Sequence, residues 1–181
     1  MLKNWLKATI ILYGLWLILS GHFEAKYMIL GLIASMTIAF CCLPGLTVCN
    51  TKTGKTYGIL EINVLKFTRY WLWLLLEIIK ASFSVAAAVI SPKMQINPHV
   101  ITFDWTYENP VAVTMLVNSI ILTPGTVTVD VKDDVRFIVH VLTDNAAEGI
   151  LSGNMQRQIG KVFDETVVPD AFLQIETGGE E

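Results

Sequence analysis

Three long apolar segments fill the first half of the chain, separated by short polar stretches. They cover approximately residues 5–20, 27–43 and 62–90. A helix needs about 20 apolar residues to cross the hydrocarbon of a bilayer. The pattern therefore predicts three transmembrane helices. The first two form a tight hairpin, since only residues 21–26 lie between them.

The second segment also carries small residues where a neighbouring helix could pack. Gly31, Ala34, Ser35 and Ala39 are of the kind that lets membrane helices approach closely. Pro44-Gly45 ends the segment, and residues 47–58 are interpreted as a polar linker.

After Pro92 the pattern changes to short alternating and helical stretches typical of a water-soluble domain. Asn109-Pro110 marks a helix start, because proline is favoured at the first helical position. A Pro124-Gly125 pair stops that helix, and Asp144 or Asn145 is expected to cap the last one. The predicted elements are a strand at 99–105, a helix at 110–122, strands at 126–131 and 135–142, a helix at 146–164 and a short edge strand at 171–175.

This order, β-α-β-β-α with a possible final β, predicts a small ferredoxin-like domain. The predicted fold class is thus a membrane protein of α+β type, with three N-terminal transmembrane helices followed by that domain. The predicted domains are a transmembrane domain at 1–91, a soluble α/β domain at 92–176 and a disordered tail at 177–181.

Charge divides the chain at the same place. Residues 1–90 carry a net charge of +5 and residues 91–181 a net charge of −8, which together give the overall −3. A basic apolar half followed by an acidic polar half indicates a membrane anchor with an aqueous domain. The acidic domain argues against nucleic-acid binding, which needs clustered positive charge.

Catalytic motifs are missing from the sequence. It contains no glycine-rich phosphate loop, no nucleophile elbow and no cysteine or histidine spacing typical of a metal site. We therefore predict no catalytic residue, no cofactor, no metal and no enzymatic activity. His140 lies within an apolar strand, where a hydrogen-bonded core or edge position is expected.

Two charged residues stand inside the third apolar segment. Glu77 and Lys80 are three residues apart, so they lie on one helix face and can pair. A charge at this depth is costly in contact with lipid and should face protein or water. The pair is a candidate for an ion or proton pathway, although an intrahelical ion pair or a hydrogen bond to a neighbouring subunit explains it more simply.

One stretch is specific enough to suggest a family. The sequence NSIILTPGTVTVDV at 118–131, followed by IVHVL at 138–142, resembles the signature of the E subunit of Mrp-type (Mnh) multisubunit monovalent cation/proton antiporters. In physical terms a helix ends, Pro-Gly reverses the chain, and a strand packs back on the helix. Asn118 and Ser119 are expected to hydrogen-bond to the backbone of that turn. The matching positions are Asn118, Ser119, Leu122, Thr123, Pro124, Gly125, Thr126, Asp130 and His140.

The resemblance implies an accessory subunit that stabilises the assembly of a complex exchanging Na⁺ or K⁺ for H⁺. Its implied partners are the other membrane subunits of a hetero-oligomer and the lipid bilayer. Its implied location is the cell membrane, which it crosses several times. The third helix departs from the family pattern at 82–88, so family roles there are not transferred. The same kind of subunit in a hydrogenase-type respiratory complex, and a self-standing membrane-anchored sensor or enzyme, are the alternatives.

Membrane orientation is where two arguments disagree. The resemblance implies a cytoplasmic C-terminal domain, and three spans would then put the N-terminus outside. The basic residues of the first half, from Lys7 through Lys55 to Arg69, favour a cytoplasmic N-terminus instead. We follow the resemblance and expect a cytoplasmic C-terminal domain.

Overall fold

The computed structural model describes residues 2–42, 45, 47–50, 54–58, 62–92 and 96–165. The chain forms two compact units, Met1–Ile62 and Asn63–Glu181. The predicted edge strand at 171–175 and the predicted tail at 177–181 lie outside the described residues.

The first unit contains a hairpin of two helices, α1 (Leu2–Ser20) and α2 (Ala25–Cys42). Gly31, Ser35 and Ala39 recur every four residues along α2 and are buried, as expected of small residues at a helix contact. A Cβ atom added to Gly31 would lie 2.2 Å from the indole ring of Trp16. Glycine at this position therefore allows the two helices to approach closely.

The polar linker after α2 holds a short two-stranded hairpin. Strand β1 (Thr47–Cys49) pairs antiparallel with β2 (Thr56–Gly58). The turn is closed by the Asn50 amide, which donates to the Lys55 carbonyl at 2.9 Å, and Gly54 takes a positive φ of +67°. Favourable strand residues beside a glycine turn explain why this stretch pairs.

Helix α3 (Val64–Ile90) opens the second unit. Asn63 caps it, since its side-chain oxygen accepts the Leu65 amide at 3.0 Å. Tyr70 and Leu74 are buried in this unit, so α3 belongs to the same compact unit as the α/β domain that follows it.

Two helices of the described residues are long and apolar enough to cross a membrane. They are α2 and α3, by length and composition. The apolar part of α1, Asn4–Ser20, is shorter. Two candidate spans are thus found in place of the three expected.

The second unit continues with a three-stranded antiparallel sheet and three helices. The order along the sheet is β3-β5-β4, so the last strand in sequence lies between the other two. The register of β4 shifts between Thr128 and Asp130, which leaves Val129 as the extra residue of a bulge. The elements are β3 (His99–Asp104), α4 (Pro110–Leu122), β4 (Thr126–Lys132), β5 (Arg136–Val141), α5 (Asp144–Leu151) and α6 (Asn154–Phe163).

The predicted last helix at 146–164 is in fact two helices. Gly153 adopts a left-handed φ of +67° between α5 and α6 and breaks the helix there. The cap of α5 is Thr143, whose hydroxyl accepts the Ala146 amide. The expected caps Asp144 and Asn145 lie one and two residues inside the helix, so that prediction was wrong.

The core lies between one face of the sheet and the helices. Alternate residues of β3 and β5 point inward, and Phe103 stacks on Phe137 with ring centroids 5.1 Å apart. Buried residues of the facing helices complete the core, among them Leu116, Ile120 and Ile159. This single apolar layer positions α4 and the turn that follows it.

Candidate functional site

The turn after α4 is held by hydrogen bonds from its own threonines. The Thr126 hydroxyl donates to the carbonyls of Ile120 and Thr123, at 2.6 and 2.8 Å. Gly125 adopts a φ of +86°, and its carbonyl accepts the Leu142 amide at 2.9 Å. Residues other than glycine rarely adopt such a φ, so the Pro-Gly pair fixes how β4 leaves the helix.

Ser119 is the buried polar residue that links α4 to α3. Its hydroxyl donates to the Met115 carbonyl at 2.6 Å and accepts the Tyr70 hydroxyl at 2.7 Å. The Ser119 carbonyl accepts the Thr123 hydroxyl at 2.9 Å. Ser119 thus connects the third apolar helix to α4, and its hydroxyl bonds to the Met115 carbonyl within α4 and not to the backbone of the turn as predicted.

Asn118 does not make the contact expected of it. Its side chain is exposed, and no hydrogen bond to it is found among the described residues. The buried residues of α4 are Ala112, Val113, Leu116, Ser119 and Ile120, and Asn118 lies outside this set. Asn118 is therefore available at the surface of α4.

His140 and Asp130 lie away from the core. Residues of β5 alternate, and because Phe137, Val139 and Val141 are buried, His140 is exposed on the opposite face of the sheet. The prediction of a core or edge histidine was wrong, since His140 stands on the central strand. Asp130 is also exposed, and its carboxylate accepts the adjacent Val131 amide at 2.8 Å.

Glu77 and Lys80 form the expected pair on α3. The ammonium nitrogen of Lys80 lies 3.2 Å from Oε2 of Glu77, and the two side chains are 72% and 36% exposed. Both line a cavity of about 210 Å³ together with Thr123, Pro124 and Asn145. The structure thus brings the charge pair and the signature turn to one place within the second unit.

Three polar contacts of this unit are not visible as motifs in the sequence. Glu165 follows α6 and accepts the amides of Glu108 and Asn109, at 3.1 and 2.7 Å, so it ties the end of α6 to the start of α4. Burial raises the pKa of the Glu165 carboxyl above its usual range, although these two amides oppose the shift. The Tyr107 hydroxyl donates to the Gln156 carbonyl at 2.9 Å, and burial raises the pKa of that phenol.

The third contact is the bond from Tyr70 to Ser119, and it alone had a signal in the sequence. Tyr70 stands four residues before Leu74 and seven before Glu77, the spacing of one helix face. That spacing could have indicated an inward-facing tyrosine rather than a membrane-interface residue.

Metal-binding side chains do not cluster in the described part of the chain. No group of three or more His, Cys, Asp or Glu residues there could hold a metal ion. The cavity instead presents one ion pair, hydroxyls and apolar surface.

Comparison with known proteins decides the family. The family model described as "Na⁺/H⁺ ion antiporter subunit" matches residues 9–162. The chain belongs to this family. The expected resemblance to the E subunit of the Mrp-type antiporters is confirmed by the names of the curated relatives.

Two of these relatives illustrate the range of similarity. The E subunit of the Na⁺/H⁺ antiporter of Bacillus subtilis is 36% identical in an alignment of 103 positions that covers 49% of this chain and 65% of that protein. The E1 subunit of the Na⁺/H⁺ antiporter of Staphylococcus haemolyticus is 28% identical in an alignment of 161 positions that covers 83% of this chain and 94% of that protein. The second alignment covers both halves of this antiporter-family chain.

A solved structure shares the fold. A chain of the membrane-bound sulfane sulfur reductase, an archaeal respiratory membrane complex, superposes with a TM-score of 0.61 at 29% identity. The match covers 77% of this chain and 83% of that one. This member of the antiporter subunit family is therefore a membrane-complex protein built of helices and small antiparallel sheets.

Proposed function

We propose that this chain is an accessory subunit that stabilises the assembly of a multisubunit Na⁺(or K⁺)/H⁺ antiporter. The family match over residues 9–162 is the observation that carries the proposal. Its partners are the other membrane subunits of a hetero-oligomeric complex in the cell membrane. We propose a role as a transporter subunit without a catalytic site of its own.

The contacts of the signature residues support an accessory role. The hydroxyls of Ser119, Thr123 and Thr126 donate to backbone carbonyls within the domain. Gly125 adopts the positive φ that the turn requires. These hydrogen bonds stabilise the fold of the turn. Asn118, His140 and Asp130 are exposed and are our candidates for contacts with neighbouring subunits.

We also propose that the described β-α-β-β-α unit is a ferredoxin-like domain on the cytoplasmic side. The strand order β3-β5-β4, with the third strand between the first two, is that of the split β-α-β arrangement. The helical hairpin α1–α2 is the proposed membrane anchor.

The pair Glu77–Lys80 is proposed to be structural. Each group already has an oppositely charged partner at 3.2 Å, and the pair lies beside the signature turn. Replacing Glu77 by Gln in the intact complex should leave the antiport rate and its pH profile in vesicles unchanged. A collapsed rate with normal complex abundance would place Glu77 on the ion path.

The second candidate is the equivalent subunit of a respiratory membrane complex, which the reductase structure favours. The two candidates differ in partners, because only a respiratory complex carries redox subunits. A self-standing sensor or enzyme, the third alternative, has no observation in its favour.

The function is tested by deletion and complementation. Vesicles from cells that lack this chain should show reduced Na⁺- or K⁺-dependent proton efflux and less of the large subunits, and the wild-type chain should restore both. The Gly125→Ala variant should lower abundance while the surviving complex keeps its turnover. Normal antiport in vesicles without the chain would contradict the proposal.

A further inference from the structure

Helix α3 has two unlike faces. Tyr70 and Leu74 are 3% and 1% exposed because they pack into the second unit. On the opposite side Leu72 and Phe83 are 62% and 73% exposed. The other apolar residues of this outward face are Leu65, Leu75, Leu76, Ile79 and Ile90, all at least 44% exposed.

The folded domain lies beside α3 through most of its length. Near the start of the helix the Lys66 ammonium pairs with the carboxylate of Asp164. Near its end the Val85 methyl lies 3.3 Å from the point where a Cβ on Gly125 would stand. These contacts are 19 residues apart, or about 28 Å at 1.5 Å per residue, close to the roughly 30 Å thickness of the hydrocarbon.

A helix with such a neighbour cannot cross the bilayer in contact with lipid. Open sheet edges and irregular loops exposed to lipid do not occur in the hydrocarbon region, because their backbone groups would lack partners. The domain beside α3 has turns and exposed charges such as Asp144, Glu148 and Asp164. If α3 crossed, these groups would enter the hydrocarbon with it.

We propose that α3 lies in the plane of the membrane, with its apolar face buried in lipid at the boundary of headgroups and acyl chains. Amphipathic helices of this kind have one apolar face and cations beside it. Arg69 and Lys80 are exposed and three helical turns apart, so they flank the same edge of the apolar face. The charge of Arg69 matches anionic headgroups, and Trp71 is an aromatic residue suited to the interface.

This placement removes the conflict over orientation. If α1 and α2 cross and α3 does not, the N-terminus, the 47–58 segment and the α/β domain share one side. The cations Lys7, Lys55 and Arg69 then lie on the same side as the domain, as the positive-inside rule requires. That this side is cytoplasmic rests on the proposed function, whereas the in-plane placement of α3 does not.

Labelling of cysteines on either side of α3 tests the crossing. The three native cysteines are exposed and can be replaced by serine, after which either Cys49 is restored or Glu148→Cys is introduced on the surface of α5. A membrane-impermeant maleimide is then applied to right-side-out and inside-out vesicles that hold the assembled complex. Both cysteines should label from the same side. Labelling from opposite sides would overturn the proposal.

Depth measurements then separate lipid from protein as the occupant. Spin labels at Leu72 and Ile79, seven residues apart on the outward face, should lie at one shallow depth of about 5–10 Å. Labels at Ile29 and Met36, spaced equally on α2, should differ by about 10 Å. A similar difference on α3 would mean that it crosses. Loss of access to lipid-soluble oxygen at both α3 sites would show that a protein covers the face.

These experiments test the in-plane placement of α3 independently of the proposed function. A crossing α3 in a complex that still exchanges cations for protons would overturn the in-plane helix alone. An in-plane α3 in a chain without antiporter partners would overturn the function alone.

Discussion

Single side chains hold the third apolar helix to the domain that follows it. The Tyr70 hydroxyl, the Ser119 hydroxyl and the Met115 carbonyl form a chain of hydrogen bonds at 2.7 and 2.6 Å. Tyr70 and Ser119 are almost fully buried, so water cannot reach these hydroxyl groups and take the place of a lost hydrogen bond. Removing one member leaves a buried polar group without its partner, which costs more than the bond itself contributes.

Ser119→Ala should therefore destabilise the chain by about 1–3 kcal/mol, since the Tyr70 hydroxyl loses its acceptor. The matched control is Thr114→Ala on the same helix, whose exposed hydroxyl also donates to a carbonyl four residues back. Thermal unfolding of the detergent-solubilised chain measures both. Equal midpoints for the two variants would mean that the contact contributes nothing.

Gly125→Ala should destabilise the chain by about 1–3 kcal/mol, because the residue has a φ of +86° and because the new Cβ would meet Val85 at 3.3 Å. Gly149→Ala is the control, since that helical glycine has nothing within 4 Å. The control should be neutral or slightly stabilising. Abundance of the complex in membranes reports both, and a normal level for Gly125→Ala would refute the role of the turn.

Asp104 gives the domain a small pH dependence. The Arg136 guanidinium donates to it at 2.9 and 3.1 Å, and this hydrogen bonding lowers the pKa of the Asp104 carboxyl below 3.8. Because the pKa is lower in the folded state, the ionised Asp104 carboxyl stabilises the fold at pH values above 3.8. This stabilisation is lost as the pH falls through the pKa of the folded state.

Asp104→Asn should thus cost less than about 1 kcal/mol at neutral pH, since the pair is partly exposed. The difference from wild type should vanish in acid. Urea unfolding of the detergent-solubilised chain at several pH values measures it. A difference that grows as pH falls would have the wrong sign and would contradict the ion pair.

At the scale of single residues, the sequence predicts which residue types form the turn but not which side chains face the core. It indicated a Pro-Gly reversal, and the structure contains one. It did not separate Asn118 from Ser119, because both are polar on an apolar helix and only the phase of that helix against the sheet places one inside. In β5 the corresponding feature is the alternation of the strand against the core, which places His140 on the outer face of the sheet.

Among the elements, the hairpin of α1 and α2 depends on close packing. Gly31 stands against the ring of Trp16, and a Cβ there would come within 2.2 Å of it. Gly31→Ala should force the ring or the helix to move, at about 1–3 kcal/mol. Gly14→Ala on α1 is the control, because nothing lies within 4 Å of that site.

Membrane abundance and resistance to protease measure the hairpin variants. Lower values for Gly31→Ala alone are the expected outcome. Equal behaviour of the two variants would show that the hairpin tolerates a wider separation of its helices.

Most elements were predictable because their signals are local. Asn109-Pro110 starts α4 as expected, and the strands follow alternating patterns. The break between α5 and α6 also had a local signal in Ser152-Gly153-Asn154, yet the apolar spacing on both sides favoured one helix. The orientation of α3 had no such signal, because an apolar helix of 27 residues fits a crossing or an in-plane placement equally well.

On the scale of the whole molecule, the split in charge and hydropathy indicated a membrane anchor and an acidic domain. The family match extends over both parts. The change in charge and hydropathy does not predict where the boundary between the two compact units lies. That boundary falls before α3, because Tyr70 and Leu74 are buried in the core of the second unit. The third apolar segment is thus a part of the domain.

The central claim is that the chain works inside an antiporter complex. The most direct measurement is extraction of a tagged chain in mild detergent, followed by mass spectrometry of the proteins that co-purify. Several large polytopic membrane subunits without redox proteins are the predicted result. A chain that purifies alone, folded and monodisperse, would contradict the account, and iron–sulfur or nickel-site subunits would place it in a respiratory complex instead.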